Sequence, residues 1–261
     1  MTLHRRALLF TGMLSAAALR AQDGPGGRTG GDPLGSPQWP GLRQQYLGSA
    51  PMRFTDAVAV RTPAFADDAM NVPLQVDARG LADVQRILVV ADRNPVREVL
   101  AFEPLRALPV LALRMRLEQA SPVRALAQTR DGQWPVGGAW VQAAGGGCTV
   151  PGATRADGSW KRTLNQVQAR FFPNAEYGSR RLRVRVMHPM DTGLAAGIPA
   201  FYIEQLELLD AQGEPWWRLA LHEPVSENPL LTLELPKDGP RAFRLRGRDN
   251  NGNLIDAEVK S

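Results

Sequence analysis

Cysteine is the scarcest chemically useful residue in this 261-residue chain: there is one, Cys148. A lone thiol cannot close an intramolecular disulfide, so no covalent staple holds the fold. Histidine is almost as scarce. His4 lies near the start, which leaves only His188 and His222 for chemistry in the body of the chain. With Met190 they make no recognisable ligand spacing, so no metal site is expected. A Cys–His nucleophile would need one of them beside Cys148 and a third group to orient it. Aromatics are only 7% of the chain, and Lys/Arg patches with interleaved aromatics are missing. The formal charge of +5 drops to +2 when Arg5, Arg6 and Arg20 are removed with an N-terminal signal. Nucleic-acid binding is therefore not expected. Phosphate-binding glycine loops and βαβ spacing are missing too.

The first residues carry the signal. His4, Arg5 and Arg6 precede a short apolar run from Ala7 to Leu19, which ends at Arg20-Ala21-Gln22. A charged start, an apolar stretch and a small residue at its end read as a signal peptide over 1–21. The run is shorter than the roughly 20 apolar residues that span a bilayer. Arg5-Arg6 before Ala7-Leu8-Leu9 fits a twin-arginine signal, which exports folded proteins. A periplasmic protein with no membrane span is expected. Residues 22–50 are rich in Gly, Pro and Ser and read as a flexible leader. Trp39, Leu42 and Tyr46 could dock it locally.

Two β-rich regions follow. In the first, 51–142, segments at 54–60, 72–78, 86–91, 98–102, 109–118, 123–129 and 139–142 read as strands. Leu111, Leu113, Met115 and Leu117 alternate with Arg114, Arg116 and Glu118, a period of two that marks a half-buried strand. Asp92-Arg93-Asn94-Pro95 and Arg130-Asp131-Gly132 supply turns. A short helix at 104–108 is an alternative for that stretch. In the second region, 179–261, Leu182, Val184 and Val186 alternate with Arg183 and Arg185. Leu231, Leu233 and Leu235 alternate with Thr232 and Glu234. Asp249-Asn250-Asn251-Gly252 marks a hairpin. About seven short strands with regular turn signals in the first region, and the alternating runs of the second, point to an all-β chain of two immunoglobulin-like β-sandwich domains. Trp140, Trp216 and Trp217 offer area for packing the sandwiches together.

Between them, residues 143–178 read as a Gly-rich linker that holds Gly145, Gly146, Gly147, Pro151, Gly152 and Gly158. Cys148 sits directly behind three glycines. Glycine packs no side chain and loses much backbone entropy on ordering, so a thiol there suits outward reach better than a core. A flexible tether of about ten residues spans roughly 17 Å. Cys148 is accordingly expected to be exposed, mobile and able to form a disulfide-linked dimer.

Particular segments resemble a known family. Arg185-Val186-Met187-His188-Pro189-Met190-Asp191-Thr192-Gly193, Ile198-Pro199-Ala200-Phe201-Tyr202-Ile203, Val225-Ser226-Glu227-Asn228-Pro229 and Asp249-Asn250-Asn251-Gly252 resemble SoxZ of bacterial thiosulfate oxidation, in family order. The signal, the strand pattern and the Gly-Gly-Cys run of the first region look similar to SoxY. The fused arrangement looks like the SoxYZ-like carriers associated with quinoprotein dehydrogenases. The resemblance implies a carrier and not an enzyme. Cys148 would be the covalent carrier residue, and Gly145, Gly146 and Gly147 its swinging arm. No cofactor beyond a covalent sulfur adduct on Cys148 is implied. The implied partners are periplasmic sulfur-oxidation enzymes or a quinoprotein dehydrogenase system. In the family the cysteine arm ends the SoxY chain. Here Thr149-Val150-Pro151 continue into the second region, so the arm is tethered at both ends. The alternative is a non-covalent periplasmic adaptor or chaperone for a quinoprotein dehydrogenase, with Cys148 incidental.

Overall fold

The computed structural model describes residues 31–260. The signal over 1–21 and the leader up to residue 30 lie outside the described residues.

Alternation builds the first sandwich. Its strands are β1 (Met52–Phe54), β2 (Ala59–Arg61), β3 (Phe65–Ala66), β4 (Val72–Asp77), β5 (Val84–Ala91), β6 (Glu98–Glu103), β7 (Val110–Met115), β8 (Ser121–Thr129) and β9 (Trp134–Ala143). Val72, Leu74 and Val76 of β4 face Leu111, Leu113 and Met115 of β7 in the same inner layer. The stretch read as a helix at 104–108 is a turn, closed by the Ala107 N–H donating to the Pro104 carbonyl.

The second sandwich comprises β10 (Val167–Asn174), β11 (Ser179–Val186), β12 (Ile203–Leu209), β13 (Pro215–Leu221), β14 (Leu230–Pro236), β15 (Ala242–Asp249) and β16 (Leu254–Lys260). The expected linker over 143–178 is therefore too long, because β10 takes its last part. Val167, Ala169 and Phe171 alternate with Gln168, Arg170 and Phe172 there. Pro173 is tolerated because β10 is an edge strand, where a missing N–H breaks no ladder.

The two sandwiches are joined by strand pairing. β6 pairs antiparallel with β13, and β7 pairs antiparallel with β14. Both layers run on across the junction, as β1-β9-β8-β5-β6-β13-β12-β15-β16 and as β10-β11-β14-β7-β4-β2. A single buried apolar cluster extends from Val58 to Val259 between them. The tryptophans divide. Trp217 is wholly buried in this core, and Trp216 packs on Phe243 with ring centroids 5.3 Å apart. Trp140 serves elsewhere.

The described part of the leader is docked, contrary to a flexible leader over 22–50. Helix α1 (Trp39–Leu47) buries Trp39, Leu42 and Leu47 against Leu88, Val90, Leu126, Trp134 and Val136 on the outer face of the larger sheet. Ahead of it, Asp32 and Asp92 both hold the buried guanidinium of Arg124. Arg124 also lies over the Trp39 ring at 4.3 Å. Trp140 donates its indole N–H to the Leu34 carbonyl at 2.8 Å. The composition of this segment is poor in apolar residues, but these few anchors suffice to order it. Burial opposes the ionisation of Asp32. The Arg124 guanidinium and the Ser36 and Leu34 N–H groups outweigh burial and hold its pKa low.

Removing one carboxylate of this triad leaves Arg124 underpaired in the interior. Asp32→Ala is expected to lower unfolding free energy by about 3 kcal/mol, read by urea denaturation at neutral pH. An unchanged midpoint would show that the strap adds no stability.

Candidate functional site

Cys148 lies among loops that crowd one end of the junction between the sandwiches. The chain leaves β9 at Ala143 and turns through Gly145 and Gly146, both with positive φ. It passes Cys148 before helix α2 (Ala153–Asp157) and helix α3 (Trp160–Thr163). The cysteine is not on an open stalk: it is 1% exposed. The expectations of an exposed, mobile thiol and of a swinging arm standing free at Gly145, Gly146 and Gly147 are corrected by this geometry. A disulfide-linked dimer would require the segment to leave its seat.

The glycines explain the docking. The Gly146 N–H donates to the Glu118 carbonyl at 3.0 Å, and the Gly147 N–H to the Leu117 carbonyl at 3.1 Å. A Cβ on Gly147 would stand 2.6 Å from the Leu117 carbonyl oxygen and closer still to that of Ala69. Only glycine fits this slot between two backbones. The same residues that suggest a flexible arm therefore allow a close fit.

The first region supplies one wall. The Cys148 N–H donates to Glu118 Oε2 at 3.1 Å, and the Thr149 hydroxyl donates to the same carboxylate. Arg116 donates to the carbonyls of Gly147 and Val150 at 3.4 and 3.2 Å. Arg116 and Glu118 were expected on the solvent face of a strand. β7 ends at Met115, the alternation breaks, and Met115, Arg116 and Leu117 are all buried.

The second region supplies the other wall. The Thr192 hydroxyl donates to the Cys148 carbonyl at 2.5 Å. Arg116 also reaches the Pro189 carbonyl at 3.5 Å. Glu227 Oε2 accepts from the N–H and hydroxyl of Thr154, at 3.2 and 2.8 Å. Arg155 binds Asp191 and lies 4.4 Å over the Trp160 ring. The segments from His188 to Thr192 and from Val225 to Pro229, singled out by sequence, thus enclose the cysteine loop.

Electrostatics follow from this enclosure. Burial pushes the Cys148 thiol up to about 12, the Glu118 carboxylate adds to the rise, and Arg116 pulls against it. Burial draws Arg116 below the ordinary arginine value, while Glu227, the Cys148 thiolate and Asp191 oppose that. The docked thiol is therefore almost wholly protonated at neutral pH and a poor nucleophile.

The two histidines belong to different settings. His188 is fully buried, with Nδ1 accepting the Met190 N–H at 3.1 Å and its ring 4.4 Å from that of Phe201. Its Nε2 lies 3.6 Å from Asp249 Oδ2. His222 instead pairs with Glu98 on β6. The Met190 sulfur accepts the Ile203 N–H. Among the described residues, no cluster of three or more His, Cys, Asp or Glu side chains is arranged to hold a metal ion.

Two outcomes follow from these contacts. Burial lowers His188 to about 4, although Asp249 pulls the other way. The unfolded chain then binds the extra proton between about pH 6.5 and pH 4, so this histidine removes stability as pH falls through that window. His188→Asn should flatten that part of the stability–pH curve; an identical slope in both proteins would refute the assignment. Gly147→Ala should expel the loop, so that a thiol reagent labels Cys148 at least about tenfold faster, as expected for a thiol gaining access. Unchanged labelling would mean that Gly147 does not control the seat.

Comparison with known proteins gives the family. Residues 43–148 match the family model of sulfur oxidation protein SoxY, whose match closes on Cys148, and residues 173–260 match that of sulphur oxidation protein SoxZ. Among solved structures, the chain is similar to the sulfur carrier protein SoxY from Chlorobium limicola f thiosulfatophilum. Identity is 21% and the TM-score 0.37, over 41% of this chain and 96% of that one. No curated protein matches the chain. With a SoxY domain and a SoxZ domain joined in one polypeptide, it is a fused SoxYZ-like protein.

Proposed function

We propose that this protein is a periplasmic carrier that holds sulfur intermediates covalently on Cys148 and presents them to partner enzymes. The SoxY and SoxZ domains support a sulfur-oxidation carrier role. No helix among the described residues is long and apolar enough to cross a membrane. The observation that carries the reading is the position of Cys148. It closes the SoxY-matched segment and is seated between loops of both domains by hydrogen bonds, with no covalent tie.

The chemistry needs only the thiol. Released from its seat, Cys148 regains a pKa near 8.5 and a few per cent thiolate at neutral pH. The thiolate attacks a sulfane sulfur, and the displaced group departs with the bonding pair. Docked, the thiol is protonated and shielded from side reactions. The partner supplies catalysis, and the docking contacts set when the thiol becomes available. The glycines serve both states, since they fit the slot and let the loop leave it. The tether at both ends limits the excursion, so a partner must bring its site to this end of the molecule.

A second reading has one observation in its favour. A cysteine that is 1% exposed suits a structural residue of a non-covalent adaptor for a quinoprotein dehydrogenase. Labelling separates the two. The carrier reading expects native protein to react slowly but completely with a thiol reagent at a rate independent of mild urea. Mass spectrometry of protein from its host should also find persulfide or S-sulfonate on Cys148. Cys148→Ser should remove the adduct. Labelling only at the rate of global unfolding, together with an unmodified thiol, would leave the adaptor reading.

A further inference from the structure

The outer face of the smaller sheet carries arginines that the molecule itself does not neutralise. Strand register sets one row straight across it: Arg170 of β10 lies opposite Arg183 of β11, then Thr232 of β14, Ala112 of β7, Gln75 of β4 and Arg61 of β2. In the neighbouring row, Gln168 lies opposite Arg185 and Arg185 opposite Leu230. Arg114 adds a charge from β7, opposite Pro73. Leu182, Val184 and Val186 point into the core, so Arg183 and Arg185 point out on the same side. The centre of the face is low. Ala112 is small, and Thr232 and Leu230 are half-buried. A shallow trough thus runs along β14 and β7, with Arg170, Arg183 and Arg185 on one bank and Arg114 and Arg61 on the other; Arg61 is paired with Asp77 at 3.7 Å, and Glu258, held by Lys260, borders the Arg170 end.

The number of unpaired arginines gathered on it distinguishes this face. On the larger sheet Arg244 faces Asp256, Arg248 faces Glu204 and Arg218 faces Glu207. On the smaller sheet Arg181 is held by Glu234. Among the described residues, Arg114, Arg170, Arg183 and Arg185 have no carboxylate within ion-pair distance, and all four are exposed. Like charges placed directly opposite, as Arg170 and Arg183 are, destabilise a sheet. Arg86 and Arg246 on the larger sheet also lack an ion pair among the described residues, but on the smaller sheet four such arginines share one face.

We propose that this trough is the docking surface for an acidic segment of a partner protein, laid in extended form along the junction of the two domains. The floor between residues 230 and 234 spans roughly 13 Å at about 3.3 Å per residue, room for some four extended residues. Alternate carboxylates of such a segment would reach either arginine bank, and guanidinium groups favour bidentate pairing with them. Phe172 borders the trough at its β10 edge, but no other aromatic lines it, so successive bases of a single-stranded nucleic acid would find no row of stacking platforms. The surface stands independently of whether Cys148 carries sulfur.

The test uses the full chain and a fluorescein-labelled octaglutamate peptide at low ionic strength, read by anisotropy. Arg170→Glu/Arg183→Glu/Arg185→Glu should weaken binding by at least about tenfold, since charge complementarity is reversed. A control with the same change in net charge, Arg43→Glu/Arg53→Glu/Arg130→Glu, should bind within about twofold of the unaltered protein. Should the triple variant fail to melt cooperatively, Arg183→Gln alone should still weaken binding measurably. Equal losses in both triple variants, no loss in Arg183→Gln, or tighter and equally arginine-dependent binding of duplex DNA or of anionic phospholipid vesicles would each overturn the proposal.

Discussion

The arrangement depends on strand pairing across the domain boundary. β6 with β13 and β7 with β14 turn four edges into ladder hydrogen bonds and make one two-layered body of two sandwiches. Open edges are liabilities, and closing them against each other removes the need for a separate subunit interface. The consequence reaches the cysteine. The loop after β7 carries Arg116 and Glu118, and the loop between β13 and β14 carries Glu227. Because β7 and β14 are paired, those loops emerge near the Cys148 segment, which bridges the domains in sequence.

Within that setting, the site rests on a balance of burial and weak polar contacts. Cys148 has no strong tie: its own backbone N–H and carbonyl meet Glu118 and Thr192. The neutral bond to Thr192 contributes about 1 kcal/mol in net terms and the one to the Glu118 carboxylate about 2 kcal/mol. Arg116 is of another order. It is a buried cation that donates to three backbone carbonyls, with Glu227, Asp191 and the Cys148 thiol as the nearest acidic influences. A buried cation without close anionic pairing costs stability. Its retention beside the thiol is understandable where a negative charge, a thiolate or an anionic adduct, is to be accommodated there.

Much of the fold was legible in local pattern. The alternation at Leu111–Leu117, Leu182–Val186 and Leu231–Leu235 identified strands and their inner faces, because a period of two is a direct consequence of the pleat. Edge pairing was not legible, since nothing in β6 or β13 states which strand lies beside it. β10 was lost inside a glycine-rich reading although Val167, Ala169 and Phe171 alternate. In the leader, Trp39 and Leu42 were legible as local anchors, but the ordering through Asp32 and Leu34 was not, because their partners Arg124 and Trp140 are remote in sequence. At the site, Cys148 and the His188–Thr192 and Val225–Pro229 segments stood out. Arg116 and Glu118 were given to the solvent face by extending an alternation one turn too far. The buried state of Cys148 was misjudged because glycine signals both freedom and close approach, and only the neighbouring backbones of Leu117 and Ala69 decide between them.

Docking and thiol ionisation are linked through the same free energy. A pKa pushed up to about 12 in the docked state means that the seat favours the protonated thiol. The sign is that of any acid whose ionisation is opposed by the closed state. Docking is at full strength below the released pKa and weakens as pH climbs toward the docked one. The thiolate is therefore made mainly in the released loop, and reactivity at neutral pH is the product of two small fractions, the loop out and the thiol ionised. An anionic adduct, as the proposed function requires, would shift the first fraction. In the proposed carrier role such an adduct would take a proton less readily than the thiol and would meet Glu118 unfavourably and Arg116 favourably, so the balance of those two charges would set how firmly the loop is seated. On the proposed function, Glu118 and Arg116 would therefore act through the seating of the Cys148 loop and not through any reaction a partner performs.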